Sequence, residues 1–125
     1  MVIDDQKNVF GEALSLCSDS PMTGFYRDGS CFTDATDRGS HTVCVIVNEE
    51  FLLYTAQQGN DLITPAPEFG FPGLKLGDRW CLCAQRWYEA YKEGKAPKVI
   101  LASTHEKALD IIPIEFLKKH AIDLV

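Results

Sequence analysis

The apolar positions of this chain fall into runs of different kinds. HTVCVIVN, His41 to Asn48, is β-branched and continuous rather than alternating, which predicts a central strand covered on both faces. Asn48 then stands as the N-cap of a helix over EEFLLYTAQQ, Glu49 to Gln58. Glu49 and Glu50 suit the positive end of that helix, and Gly59 supplies its stop. The same grammar returns near the end. KVILAS, Lys98 to Ser103, predicts a second buried strand, and Ser103-Thr104-His105-Glu106 reads as a capping box that opens another helix. This helix must stop before Pro113, which is placed to begin a last short helix through Phe116, Leu117 and Ala121.

Between these lies GDRWCLCAQRWYEAY, Gly77 to Tyr91, in which Trp80, Ala84, Trp87 and Tyr91 recur at the period of one helix face. A helix from Arg79 to Glu93 follows, capped by Asp78 and ended by Gly94 and Pro97. The alternative is a short strand, Arg79 to Ala84, whose two cysteines point to one side. Two long segments, Asp19 to Ser40 and Gly59 to Gly77, are rich in Gly, Pro, Asp and Thr and show no sustained period. Phe25, Tyr26, Phe69, Phe71 and Leu74 give them apolar anchors, so ordered loops are expected. The predicted fold is therefore α+β, a single small domain. It has a small, mostly buried sheet including Thr42 to Val47 and Lys98 to Ser103, helices packed on it, and two long ordered loops over one end. The first eight residues are expected to form a disordered N-terminus.

Composition narrows the function. With 125 residues, 46% apolar and 24% charged, the chain suits one globular core. A net charge of −6 repels phosphate backbones and argues against nucleic acid as a partner. No apolar run is long enough to span a bilayer, and the start lacks a basic segment followed by an apolar one, so a cytoplasmic location is expected. In a reducing cytosol the five cysteines read as buried thiols, metal ligands or reactive groups rather than as a disulfide framework.

PMTGFYRDGSC, Pro21 to Cys31, together with GSHTVC, GNDLITPAPEFGFPGLKLGDRWCLC and STHEKAL, resembles the uncharacterised family known as domain of unknown function 2237, small proteins of bacteria and some plants. The likeness runs from about Val9 to Asp123. It implies a single-domain member and no named activity. Gly29-Ser30-Cys31 stands where the family pattern often has Gly-Cys-Cys, which argues against a role for Ser30.

The residues themselves offer four chemistries. Cys17, Cys31, His41, Cys81 and Cys83 could supply the four N or S ligands of a zinc site that cross-links the loops. Against it, no Cys-x-x-Cys pair exists, and Cys44, inside a strand of valines, packs as a small hydrophobe. Cys81 would fall in the first turn of a helix capped by Asp78, where a thiolate is favoured, with Arg79 beside it and His105 as a base. Arg27, Asp28, Asp61 and Arg79, with Asp37-Arg38, could line a polar cleft for a small anionic or polar ligand, or could simply tie down loop backbone. Phe69, Phe71, Trp80 and Trp87 could form a protein interface, although tryptophans at helical spacing more often belong to a core. Phosphate-binding, dinucleotide, serine-hydrolase and zinc-protease motifs are absent from the sequence. The combined expectation is one pocket containing Cys81, Cys83 and His105 with some of Cys17, Cys31 and His41.

Overall fold

The computed structural model describes residues 6–123. The HTVCVI run forms β1, His41–Ile46. It is the middle strand of a three-stranded antiparallel sheet, flanked by β2, Arg79–Cys83, and β3, Lys98–Val99. Val43, Cys44 and Val45 are all fully buried, which is why the run shows no alternation. Its two faces meet different partners. Val43, Val45, Trp80, Leu82 and Val99 join a large apolar core with Phe51, Trp87 and Leu117. Cys44, Cys81 and Ile100, on the alternate positions, meet Cys17 and Cys31 from the N-terminal segment.

Asn48 caps α1, Glu49–Gln57, as its sequence requires: its side-chain oxygen accepts the Phe51 N–H at 2.8 Å. Gly59 follows in the left-handed region, at φ +93°.

The predicted helix from Arg79 to Glu93 divides in two. RWCLC is β2, paired with β1 from Ile46↔Arg79 to His41↔Cys83, and the helix α2 begins only at Ala84 and runs to Lys92. Asp78 does not cap it. Its carboxylate accepts the Lys75 N–H at 2.8 Å and its carbonyl accepts the Val47 N–H at 2.9 Å, closing the turn that delivers β2 to the sheet. The helical spacing of Ala84, Trp87 and Tyr91 holds within α2, whereas Trp80 reaches the same core from a strand. Trp87 is fully buried, and its indole N–H donates to the Pro97 carbonyl at 3.2 Å.

The second predicted strand is also shorter than expected, because the Asp123 carboxylate accepts the N–H groups of Leu101 and Ala102 at 2.8 and 2.9 Å. The chain turns there into a 3₁₀ turn, Leu101–Ser103. The Ser103 hydroxyl donates to the Leu16 carbonyl at 2.9 Å, so Ser103 forms no capping box. His105 performs the capping instead: its Nδ1 accepts the Lys107 N–H at the start of a second 3₁₀ turn, Glu106–Asp110. The last helix, α3, follows Pro113 and spans Ile114–His120.

Of the first eight residues, expected to be disordered, residues 1–5 lie outside those described and the next three are tied in. The Gln6 amide donates to the Thr33 carbonyl at 3.2 Å. Buried Asn8 donates to the Ala102 carbonyl at 3.1 Å and accepts the N–H groups of Phe10 and Glu12. Among the described residues, no helix is long and apolar enough to cross a membrane.

Candidate functional site

Four of the five cysteines pair, against the expectation of free thiols. The N-terminal segment lies across the face of the sheet that carries Cys44 and Cys81, which are themselves opposite each other on β1 and β2. Cys17 is thereby brought to Cys44 and Cys31 to Cys81, with Cα separations of 5.8 and 5.4 Å, and both pairs are disulfide-bonded. The proposed zinc set is divided by this arrangement. The sulfurs of Cys17, Cys31 and Cys81 do lie within 4.8 Å of one another, but they are buried among Leu14, Ile46 and Ile100. Such an apolar enclosure suits neutral disulfides better than a cluster of thiolates, and a sulfur already bonded to sulfur has no thiolate to give a metal. His41 and Cys83, the other two candidates, are elsewhere.

Cys81 also cannot act as drawn from the sequence. It stands inside a strand rather than at a helix start, it is almost completely buried, and its sulfur is bonded to Cys31. His105 is likewise occupied: Nδ1 accepts the Lys107 N–H, and the ring is enclosed with Nε2 unpartnered. Burial holds its imidazole below the usual histidine range, with Lys107 acting in the same direction and Glu106 and Asp110 against it. The fold therefore favours the neutral ring, and the unfolded chain binds more protons. Stability is complete above the ordinary value of 6.5 and is lost as the pH falls through the folded-state value. His105→Asn, which keeps an acceptor for the Lys107 N–H, is expected to flatten the loss of urea stability between about pH 7 and pH 5. An unchanged slope would assign that loss to other groups.

The thiol that remains free is Cys83, half-buried at the last position of β2 and immediately before α2. It opens into a cleft of about 280 Å³, close to the lower limit for small-molecule sites. Phe69, Phe71 and Trp80 form its aromatic wall, the latter two in edge contact at 5.3 Å between centroids. Arg27, His41 and Asp61 supply its polar groups. Both long loops thus meet at the end of β2, Arg27 from the first and Asp61 from the second. Asp28 and Arg79 are not among the lining residues. The Asp28 carboxylate accepts the Ser30 N–H at 3.2 Å in a tight turn, and Arg79 is exposed at the outer end of β2. The Asp61 carboxylate also organises its own loop, accepting the N–H groups of Ile63 and Thr64 at 2.9 and 3.1 Å. The Thr64 side chain, with these N–H groups, holds it below the usual carboxylate range.

Arg27 sits in the left-handed region at φ +55°, a conformation that costs a non-glycine residue energy. Its guanidinium donates to the Gly24 carbonyl at 2.8 Å and lies over the Trp80 ring at 5.2 Å. Among the described residues it forms no ion pair.

His41 faces Cys83 directly across the β1–β2 pair, at a bulge between His41 and Val43. Its Nδ1 is 2.7 Å from an oxygen of Asp37, whose side chain is completely buried, while the imidazole is 40% exposed. The other Asp37 oxygen accepts the His41 N–H and the Thr33 hydroxyl, each at 2.9 Å. The ring lies nearly parallel to Phe25, with centroids 6.2 Å apart. On another side it lies against Gly39, where an added Cβ would stand 2.7 Å from His41 Cε1. Sequence reasoning placed His41 among the metal ligands and Asp37 among the groups that line a polar cleft or tie down loop backbone. The signal for their pairing was DRGSH itself, a carboxylate four residues before a histidine with a glycine between them.

No curated protein matches the chain. A family model does, across residues 7–121. The chain belongs to the family described as uncharacterized protein conserved in bacteria (DUF2237).

Proposed function

We propose that the domain binds a small carboxylate-bearing molecule in the cleft at the end of β2, with the disulfide-bonded cysteines acting as structural ties. The observation that carries this reading is Arg27. A guanidinium that lines a cleft, keeps a strained backbone and has no carboxylate partner among the described residues retains N–H groups for a bidentate contact to an anion. Trp80 and Phe71 offer an apolar surface beside it for a planar ligand body. The small volume limits the ligand to roughly the size of an aromatic acid or a short-chain acid. In a reducing compartment the two disulfides would depend on their burial for protection from thiol exchange.

Titration with benzoate, followed by amide resonances, tests this. Benzoate is expected to shift the signals of Arg27, Asp61 and Trp80, and Arg27→Gln to weaken binding at least about 10-fold. Arg79→Gln, outside the cleft, is expected to leave binding unchanged. Shifts confined to other surfaces, or equal binding by Arg27→Gln, would overturn the reading.

A further inference from the structure

We infer that Cys83, His41 and Asp37 form a nucleophilic thiol site that transfers or hydrolyses the acyl group of a small ester or thioester. The inference deepens the reading of the cleft as a binding site and rests on it for delivery of the substrate.

Three separate features converge. Cys83 is the only unpaired cysteine among the described residues, and it lines the cleft. His41 lines the same cleft and is its cross-strand partner, and residues so paired have side chains beginning roughly 5 Å apart. Asp37, buried and fixed by Thr33, takes Nδ1 of that histidine and so leaves Nε2 as the proton acceptor. Gly39 and Phe25 pack against the ring. The start of α2 adds a fourth element. Cys83 occupies its N-cap position and no acidic residue stands in the first turn, so the positive end of the helix favours negative charge that develops near it.

The chemistry balances without a cofactor. His41 Nε2 takes the Cys83 S–H proton as sulfur attacks the acyl carbon, forming the C–S bond and a tetrahedral oxyanion. The oxyanion collapses, the bond to the leaving alcohol or thiol breaks, and the imidazolium returns the proton to that leaving group. Water then attacks the S-acyl carbon with Nε2 as base, releasing the acid and the Cys83 thiol. Cys83 and His41 are the catalytic residues here, and Asp37 positions the ring.

Asp37→Asn separates positioning from simple support. One Asp37 oxygen accepts the His41 N–H and the Thr33 hydroxyl, so the amide oxygen of Asn must take that place. Its NH₂ group then faces Nδ1, which must accept, and the ring proton moves to Nε2, where it blocks proton uptake from Cys83.

The experiment is acylation of the full chain by 4-nitrophenyl acetate, read by nitrophenolate release and by mapping of the acetyl group. Wild type is expected to carry it on Cys83, Cys83→Ala to form no adduct at that position, and His41→Gln to acylate at least about 10²-fold more slowly. Asp37→Asn should slow acylation comparably, and its ¹⁵N imidazole shifts should report the Nε2–H tautomer. If Asp37→Asn does not fold, His41→Gln decides alone. Acetylation only at lysines, or a rate unaffected by His41→Gln, overturns the inference. Benzoate titration of Cys83→Ala keeps the two readings apart. Binding without thiol chemistry leaves the cleft reading standing alone, and His41-dependent acylation without Arg27-dependent binding leaves only the thiol site.

Discussion

Replacing Cys31 and Cys81 together with alanine is expected to lower the unfolding free energy by about 4 kcal/mol, the chain-entropy cost of opening a closed loop of this length. The bond spans 50 residues, against 27 for Cys17–Cys44, so it restricts the unfolded chain more. A domain of this size has of the order of 10 kcal/mol in all, so the loss is a large share of it. It falls on a segment with little secondary structure. Between Gln6 and Ser40 the chain has only isolated bridges and turns, and its contacts to the sheet run through the two sulfur pairs, Arg27 over Trp80, Phe25 and Asp37 against His41, and hydrogen bonds such as Cys81 N–H to the Thr23 hydroxyl at 2.8 Å. Urea unfolding of the oxidised wild type and the double variant gives the comparison. A difference below about 1 kcal/mol would mean that the unfolded chain retains enough structure to make the bond redundant.

Asp37→Ala is the second large effect, at about 3 kcal/mol, while Asp37→Asn is expected to cost about 1 kcal/mol. Alanine removes the acceptor of the Thr33 hydroxyl, the His41 N–H and His41 Nδ1 in one step. Thr33 is buried, so its hydroxyl finds no water in exchange, whereas the exposed imidazole recovers part of its loss from solvent. Asparagine keeps one oxygen for the two donors that share an acceptor. Thermal or denaturant unfolding of the two variants measures the contrast. Equal losses would mean that the negative charge, rather than the number of acceptor bonds, stabilises this loop.

These residues also show how far the sequence could be read. HTVCVI announced a doubly covered strand because every position after His41 is apolar or β-branched, and Asn48 announced a cap because cap and partner are three residues apart. Local signals of that kind survive folding. RWCLC was ambiguous because its neighbours supply a helical period, and only the edge of β1, far away in the chain, selects the strand. The early end of β3 was equally invisible, since it depends on Asp123. The candidate site followed the same division. A cysteine near a helix start and a histidine were legible as types, but which cysteine and which histidine depends on strand register, and the role of a carboxylate in orienting the histidine was not read at all. Moving the helix start from Asp78 to Cys83 exchanges Cys81 for Cys83, and the β1–β2 register exchanges His105 for His41. The disulfides were missed because a compartment was inferred before the geometry that brings Cys17 and Cys31 over the sheet.

The two disulfides interlock, since the span of one begins inside the span of the other. Under tension between the chain ends, the shortest covalent route from Cys17 to Cys81 runs along the backbone to Cys31 and across its sulfur bridge. A second route, across the Cys17–Cys44 bridge and back along the backbone to Cys31, is nearly as short and shares the load, so the residues between Cys44 and Cys81 bear none; at the reach of an extended backbone roughly 170 Å of contour length is withheld. A pulling force thus extends the irregular segment from Cys17 to Cys31 and is kept off the end of β1, α1 and most of β2, which lie between Cys44 and Cys81.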